Sequence, residues 1–432
     1  MHLQANFTKK NIDFLPFFVE RVAYITKKQY LCINNEKTII VMRNKSVCLL
    51  AIEGIIVLFV AIILSACDKY DLKKRIVRFE QEMEEYRVQT DNIGLSVVFV
   101  KDNKVAYTRQ WGLKSIESEE ILPDSTWIRT GEPLTGDAMM RCASISKTFC
   151  ATGLMQLVEM GKLGLRMDIG DILDSVIRNP LFPNTPITLE MLMSHTSSIN
   201  DSECYNDYEP GHGYQYCDHN YTLGGMILEK VSGERFDEYV KHHILLPLGI
   251  TGGFNVDSVD HTMLASLYQW ETNHYVCRDE DAYAPRGDKL NNYRLGKDTY
   301  LFSPAAGMKI SAKDLTKYML MHMNYGLYVD ENGDLVRILA ESTSRNMQTP
   351  RSYEGDEHFG LGLLETEMFS PGTVLVGHCA GAYGMRGVMH FNPKEKYGFI
   401  VMSNGSHDSS QDDENMVHFG TIRKMFQCFI AE

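Results

Sequence analysis

The stretch that indicates most about the fold is Ser144-Ile-Ser-Lys-Thr-Phe-Cys-Ala-Thr-Gly-Leu-Met-Gln-Leu-Val-Glu-Met-Gly161. Apolar residues recur at Cys150, Leu154 and Leu157, the three- and four-residue spacing of one helix face. The glycine at the end commonly terminates a helix, because it adopts the left-handed backbone conformation at little cost. The stretch therefore predicts a helix whose N-terminus lies at or near Ser144.

Ser144 and Lys147 are separated by nearly one helical turn, so both side chains project from the same face and the amine can reach the hydroxyl. A lysine in a partly desolvated pocket, near the positive end of a helix, has a lowered pKa and can accept a proton. This is the arrangement of a Ser-x-x-Lys nucleophile. Because a pattern with two fixed residues in four recurs by chance in many proteins, the pair indicates a nucleophile only if other motifs of such a site are also present.

Two later segments accompany the pair. The first is Tyr216-Cys-Asp218, about 70 residues downstream, and the second is Gly377-His-Cys-Ala-Gly381, near the C-terminus. In this order and spacing, the three segments resemble the Ser-x-x-Lys, Tyr-x-Asn and Lys/His-Thr-Gly elements of the serine β-lactamase and D,D-peptidase family, specifically its class C-like branch. The resemblance runs from about residue 70 to the C-terminus. Supporting matches are His195-Thr-Ser-Ser198, Ser303-Pro-Ala-Ala-Gly307 and Phe359-Gly-Leu-Gly362.

The resemblance implies a role for individual residues. Ser144 would be the acylated nucleophile, and Lys147 would help to activate it and keep Tyr216 poised as a base. A phenol has a free pKa of about 10, so it acts as a base near neutrality only beside positive charge. The backbone N–H groups of Ser144 and Gly381 would form an oxyanion hole that stabilises the tetrahedral intermediate. We expect His195 to be a hydrogen-bonding residue of its loop.

The expected substrate-binding residues are Asp218, His378, Ala380 and Gly381, and three of them depart from the commonest family pattern. Asp218 replaces an asparagine, so we expect its carboxylate to hold Lys147 as a charged ammonium and to weaken the recognition of substrate amides. His378 replaces the common lysine, and we expect its charge to vary between about pH 5 and 8. Ala380 replaces a glycine, and its methyl group either narrows the pocket or only adjusts the strand.

Both ends of the domain combine helices with strands. Residues 71–86 have helical spacing and a strand, turn and strand follow over 94–111, while a second hairpin spans 387–402 ahead of a helix over 414–429. The sequence between these two ends of the domain predicts mainly helices and loops. The fold class implied by the resemblance is an α/β (α+β) sandwich of the β-lactamase/transpeptidase type. In it an antiparallel sheet is flanked by the N- and C-terminal helices, beside an all-helical lobe.

A lipoprotein signal is predicted ahead of the domain. Residues 47–66 are almost uniformly apolar, follow two basic residues and end in Leu-Ser-Ala directly before Cys67. The segment resembles bacterial lipoprotein signals, which are cleaved before a cysteine that becomes lipidated. An uncleaved membrane anchor is the alternative, since about 20 residues can just span a bilayer. We expect an unassigned extension over 1–41, a signal peptide over 42–66 and a hydrolase domain over 67–432.

Composition sets further limits. The chain has 432 residues, a formal charge of −13 and no basic run long enough to follow a phosphate backbone, so we exclude nucleic acid as a partner. Seven of the ten cysteines follow Cys67, and an odd number leaves at least one free thiol. A disulfide such as Cys204 to Cys277 is compatible with an exported protein. No cysteine and histidine spacing indicates a zinc site, and we expect no metal or organic cofactor.

Together these observations predict a lipid-anchored protein of the bacterial cell envelope, facing the periplasm or the exterior, whose domain is a serine hydrolase. It would form an acyl-enzyme on Ser144 with a small-molecule or peptidoglycan-like substrate. D,D-carboxypeptidase-like and esterase-like activities rank ahead of a β-lactamase, because Asp218 and Ala380 depart from the standard antibiotic hydrolase. The alternative is a catalytically weak or inactive envelope protein that binds wall peptides. The sequence leaves the oligomeric state open.

Overall fold

A computed structural model describes four stretches of the chain, which are residues 71–123, 127–202, 204–407 and 416–430. The predicted extension, signal peptide and lipidated Cys67 lie outside these described residues. The chain divides into two units, Met1–Lys74 and Arg75–Glu432, and the fold given below is that of the second. None of the helices in the four stretches is long and apolar enough to cross a membrane.

The strands of the described residues are β1 (Gly94–Lys101), β2 (Lys104–Ile121), β3 (Trp127–Pro133), β4 (Met139–Arg141), β5 (Gly252–Gly253), β6 (Tyr268–Glu271), β7 (His274–Cys277), β8 (Lys309–Ser311), β9 (Leu327–Val329), β10 (Leu335–Arg337), β11 (Ser352–Glu354), β12 (Glu357–Phe359), β13 (Leu364–Thr366), β14 (Leu375–Ala382), β15 (Met385–Asn392) and β16 (Tyr397–Ser403). The α-helices are α1 (71–89), α2 (Ser146–Glu159), α3 (Ile169–Leu173), α4 (Leu189–Met193), α5 (Asp218–Ser232), α6 (Phe236–Val240), α7 (Asp279–Ala282), α8 (Ala312–Met323), α9 (Glu341–Gln348) and α10 (Val417–Phe429).

A nine-stranded antiparallel sheet is built from the two ends of the domain. Its order is β11-β12-β13-β14-β15-β16-β1-β2-β3. The two hairpins predicted from the sequence are both present, and they join through β1 and β16, where Val97 is paired with Val401. The sheet therefore depends on a contact between segments about three hundred residues apart.

Both faces of the central strand β1 are buried, because helices cover the sheet on each side. Leu95 and Phe99 belong to an apolar cluster with Phe79 of α1 and Ile422 of α10. The alternate residue Val98 belongs to a second cluster that includes residues of α2 and α8. Alternation along a strand sends successive side chains to opposite faces, so one strand serves both cores. The predicted sheet with flanking terminal helices is confirmed.

The second lobe differs from the prediction of an all-helical region. Between residues 139 and 337 it also contains three small sheets, with the strand orders β4-β8-β5, β6-β7 and β10-β9. Each of these strands is two to four residues long. Such short strands offer too few alternating positions to produce a recognisable period of two. The prediction is therefore wrong in this detail.

The cysteines in the described stretches form no disulfide with one another. Cys204 and Cys277 are both exposed, and each remains unpaired with the other, so the disulfide considered from the sequence is not formed. Most of the other cysteines serve as apolar side chains of the core, as Cys142, Cys150 and Cys217 do.

Candidate active site

Ser144 lies in a short 3₁₀ turn, Ala143–Ile145, that leads directly into α2. Ala143 has a φ of 43°, a left-handed conformation that is uncommon for a residue with a Cβ. Its side chain and that of Ile145 are buried, whereas Ser144 is only half-buried. Packing of the two neighbours therefore holds the strained turn in place with the serine facing outward.

Lys147 is fully buried, and its amine contacts three oxygen atoms in addition to the hydroxyl of Tyr216. The Nζ atom donates to Ser144 Oγ at 3.1 Å and to the backbone oxygen of Ala305 at 3.1 Å. It also lies 2.6 Å from Asp218 Oδ1 in an ion pair. The structure thus brings together the serine, lysine and aspartate that the sequence motifs singled out.

The surroundings of Lys147 favour its charged form. Burial by itself lowers the pKa of the amine, but the phenol oxygen of Tyr216 and the carboxylate of Asp218 outweigh it and raise the pKa above the ordinary value. The general expectation of a lowered lysine pKa is therefore wrong, because it left the carboxylate out. The ion pair of 2.6 Å agrees with the expectation that Asp218 holds Lys147 as an ammonium.

Tyr216 lies between the nucleophile and the lysine. Its hydroxyl is hydrogen-bonded to the side chains of both Ser144 and Lys147, and Lys147 Nζ lies 4.8 Å from the centre of its ring. Burial raises the pKa of the phenol, and the neighbouring ammonium offsets this only in part. In the free protein Tyr216 is therefore a neutral phenol beside a charged lysine.

His195 packs directly on Tyr216, with ring centres 4.3 Å apart and an angle of 25° between the planes. Its Nδ1 atom accepts a hydrogen bond from the backbone N–H of Cys217 at 3.1 Å. The loop role expected for His195 is confirmed, but the sequence missed that the residue held in place is the tyrosine of the site. No periodic signal could have revealed the stacking, because the two segments are joined only in the tertiary fold.

A second aspartate fixes the start of the helix that carries Asp218. The Oδ1 atom of Asp201 accepts from the backbone N–H of Asp218 at 2.6 Å and of His219 at 3.2 Å. Cys217, the residue before α5, provides no side-chain cap of its own. Asp201 therefore satisfies donors that the first helical turn leaves free, and a carboxylate is also favoured at this end of the helix dipole.

A cleft of about 350 Å³ opens beside Ser144. It includes Tyr216, His378, Ala380 and Gly381, so the predicted substrate-binding residues other than Asp218 line one wall. The cleft is lined by Ser144, Tyr216, Glu357, Phe359, Leu364, His378, Cys379, Ala380, Gly381, Arg386, Met416, His418 and Phe419. A larger cavity of about 690 Å³ lies between β2, β3 and α7 and contains none of the motif residues.

Ala380 and Gly381 are adjacent on β14 and face different neighbours. Ala380 is buried and pairs across the sheet with Gly387, which has no side chain to compete with the extra methyl group. Gly381 is exposed, and a Cβ there would lie 3.1 Å from Arg386 Nη1. The departure at Ala380 is therefore accommodated by the strand while the methyl group also forms part of the cleft wall.

His378 is neutral across the physiological range. Burial, with the charge of Lys147, lowers its pKa from 6.5 to about 3. Its Nδ1 atom lies 2.6 Å from the carbonyl oxygen of Cys379. The expected change of charge between about pH 5 and 8 is therefore wrong, because an unburied pKa was assumed for a residue that the sheet encloses.

No group of three or more histidine, cysteine, aspartate or glutamate side chains in the described stretches is arranged to hold a metal ion.

Comparison with known proteins agrees with this geometry. A family model described as Beta-lactamase matches residues 78–420. The chain belongs to the β-lactamase family. The Ser144, Lys147 and Tyr216 side chains of this family member lie together beside one cleft.

Individual members of this group are only distantly similar in sequence. Protein flp of Staphylococcus aureus strain N315 is 21% identical over 345 residues, a match that covers 74% of this chain and 61% of that protein. The octameric penicillin-binding protein homologue from Pyrococcus abyssi has a TM-score of 0.60 at 24% identity, covering 77% of this chain and 74% of that one. EstCE1, a hydrolase with promiscuous acyltransferase activity, has a TM-score of 0.62 at 18% identity, covering 82% and 98%. At these identities the solved structures establish the shared fold.

Proposed function

We propose that the chain is a cell-envelope hydrolase that forms an acyl-enzyme on Ser144 and reacts faster with esters than with amides. Its substrates would be small acyl compounds or peptidoglycan-like peptides. The observation that carries the proposal is the hydrogen bond of 3.1 Å between Lys147 Nζ and Ser144 Oγ, in a site where Asp218 holds the same amine.

The acylation step follows from the protonation states of the free site. With Lys147 as an ammonium and Tyr216 as a phenol, the network must release one proton before it can accept the proton of Ser144. Asp218 offers the exit, because its side chain is 53% exposed while that of Lys147 has no exposure. Once the proton has left, the Ser144 oxygen bonds to the substrate carbonyl carbon and its proton passes to Tyr216 or Lys147.

Collapse of the tetrahedral intermediate needs a donor and an acid. The backbone N–H groups of Ser144 and Gly381 are the proposed donors to the oxyanion, and Tyr216 is placed to return the proton to the leaving group. Breaking the bond to the leaving group gives the acyl-enzyme. Water then attacks the ester, and the same groups act in reverse to free Ser144.

The preference for esters rests on Asp218. A side-chain amide at this position can donate to a substrate carbonyl as well as accept, whereas an ionised carboxylate only accepts. The carboxylate also favours the lysine form that cannot act as a base. An ester with a good leaving group depends less than an amide on a donor to its carbonyl and on a lysine that can act as a base.

The test is acylation of the purified full chain, followed by intact mass. The protein is exposed separately to an activated ester and to a fluorescent penicillin, with Ser144→Ala as the control. A stoichiometric adduct that forms faster with the ester and is absent from Ser144→Ala is the expected result. An adduct that persists in Ser144→Ala would reject this nucleophile, and faster reaction with the penicillin would reject the ester preference.

A second candidate function is binding of wall peptides without turnover. The raised pKa of Lys147 favours it, since a protonated lysine is a poor base. Equilibrium binding of a peptidoglycan fragment to folded protein, with no adduct from either reagent, would replace the hydrolase with this candidate.

We also propose that the domain is held in the cell envelope by a lipid on Cys67 and that it belongs to the class C-like branch. The first part is supported by the apolar segment and the Leu-Ser-Ala that precede Cys67. The second part is supported by the order of the three motifs and by the histidine at position 378.

A further inference from the structure

We propose that Arg141 is a positioning residue for acylation, because its guanidinium braces the turn that presents a carbonyl oxygen to Lys147 against the hairpin that carries Gly381. The inference rests on the proposed function, since it concerns the rate at which Ser144 is acylated. Arg141 touches none of the reacting atoms itself.

The guanidinium of Arg141 is buried, and its N–H groups donate to two backbone oxygens and one hydroxyl. The Nε atom donates to the oxygen of Ala306 at 2.9 Å, and Nη2 donates to Ser303 Oγ at 3.2 Å. The Nη1 atom donates to the oxygen of Ala282 at 3.2 Å. All three acceptors are neutral. Burying a cation without a carboxylate partner is costly, so its contacts point to a geometric role that an apolar residue could not fill.

The turn that Arg141 braces also holds Lys147. Within Ser303–Gly307, the N–H of Gly307 donates to the oxygen of Ser303 at 2.6 Å, and a Cβ at Gly307 would lie 2.0 Å from the oxygen of Phe302. Ala305 and Ala306 are consecutive in this turn. The oxygen of the first accepts from Lys147, and the oxygen of the second accepts from Arg141. Displacing the turn would therefore remove the hydrogen bond from the Lys147 amine to Ala305, one of the contacts that orient the amine toward Ser144.

Arg141 also contacts the hairpin that carries Gly381. The Cζ atom lies 5.0 Å from the ring centre of Tyr383, in the turn between β14 and β15. Tyr383 follows Gly381 by two residues, and its φ of 55° shows that this turn is tightly constrained. One side chain thus links the lysine side of the site to the proposed oxyanion side.

Lys309 provides a matched control. It pairs with Arg141 across β4 and β8, and it is equally buried. Its Nζ atom donates to the oxygen of Phe254 at 2.6 Å, away from the turn that binds Lys147. Replacing Lys309 removes a buried basic side chain from the same small sheet without removing a hydrogen bond to the Ser303–Gly307 turn or a contact with Tyr383.

The experiment compares acylation by the activated ester in the full chain and in Arg141→Lys, Arg141→Met and Lys309→Met. We expect the maximal acylation rate of Arg141→Met to fall on the order of 10- to 100-fold, with the half-saturating ester concentration within about twofold of the wild type. Arg141→Lys should recover part of the rate, and Lys309→Met should stay within about twofold. Circular dichroism verifies that each variant is folded.

A folded Arg141→Met that is acylated at the wild-type rate would overturn the proposal, as would an equal loss in Lys309→Met. If Arg141→Met does not fold, Ser303→Ala and Tyr383→Leu each remove one contact of the guanidinium. Both should then slow acylation, and normal rates in both would reject the role of Arg141. Absence of acylation in the wild type would reject the proposed function itself, which is a distinct outcome from wild-type acylation that Arg141 does not affect.

Discussion

Lys147 Nζ lies 2.6 Å from Asp218 Oδ1, closer than the 3.1 Å that separates it from Ser144 Oγ. The carboxylate thus lies nearer than the serine hydroxyl to the amine that would have to accept the serine proton. This contact favours a free protein in which a charged lysine lies next to a neutral phenol. The reactivity of the site is governed by how readily the network loses that proton.

Replacing Asp218 with asparagine should speed acylation. Because the carboxylate raises the pKa of Lys147, its removal lowers that pKa, and the rise of the acylation rate with pH moves toward neutrality. We expect a gain of about tenfold near pH 7, larger for the fluorescent penicillin than for the activated ester. Rates measured from pH 6 to pH 10 test this.

The matched control for Asp218→Asn is Asp174→Asn. Asp174 lies 2.6 Å from Lys230, which belongs to the same helix as Asp218 but lies outside the cleft. That variant should keep the wild-type pH dependence. An unchanged or slower Asp218→Asn would remove the inhibitory role assigned to the carboxylate.

Removing the hydroxyl of Tyr216 should slow acylation without unfolding the protein. The hydroxyl bonds to Ser144 and Lys147, so Tyr216→Phe removes the group that relays the proton while keeping the ring that packs on His195. We expect a loss of about 10²- to 10⁴-fold, measured as the single-turnover rate with the activated ester. Tyr214→Phe alters a ring near the same histidine but outside the cleft lining, and an equal loss there would contradict the assignment.

Acid should destabilise the fold well above the pH at which most carboxylates titrate. His390 is fully buried, both of its ring nitrogens lack partners, and burial lowers its pKa to about 3. The unfolded chain takes up this proton from about pH 6.5 downward, so the contribution to stability is complete above that value and is lost as the pH falls. Each such histidine contributes a slope of about 1.4 kcal/mol per pH unit below pH 6.

The variant His390→Leu measures the contribution of one buried histidine to the pH dependence of the free energy of unfolding. Urea unfolding at pH 5 and pH 8 should show a smaller difference in the free energy of unfolding than in the wild type, by about 1 to 2 kcal/mol. His212→Leu, at a histidine whose side chain is 73% exposed, is the control and should leave the difference unchanged. Equal pH dependence in wild type and His390→Leu would show that this histidine is not held neutral by the fold.

Replacing Cys67 with serine should detach the protein from membranes or leave a precursor of higher mass. Serine cannot form the thioether on which lipidation depends, whereas the apolar segment before it is unchanged. Membrane fractionation and intact mass of the variant and the wild type test the proposal. Identical attachment and size in both would favour an uncleaved membrane anchor instead.

Local patterns in the sequence were sufficient where the chemistry depends on neighbours along the chain. The helical spacing after Ser144 predicted α2, and the two hairpins flanking 101–104 and 392–396 were recognisable from their alternating residues and turns. The three-residue separation of Ser144 and Lys147 predicted their contact, because one helical turn brings such residues to the same face. The family resemblance then selected the tyrosine and aspartate that complete the group.

The tertiary structure decided how these groups are charged. The pKa of Lys147 depends on a carboxylate 71 positions along the chain, and that of His378 depends on enclosure by strands that the sequence could not pack. The hydrogen bonds of Lys147 to the carbonyl of Ala305 and of Arg141 to the carbonyl of Ala306 were not predicted, since a hydrogen bond to backbone leaves no pattern of residue types. The sequence therefore determined which reactive side chains this protein has, and folding determined their protonation and alignment, because both depend on distances between segments that are remote along the chain.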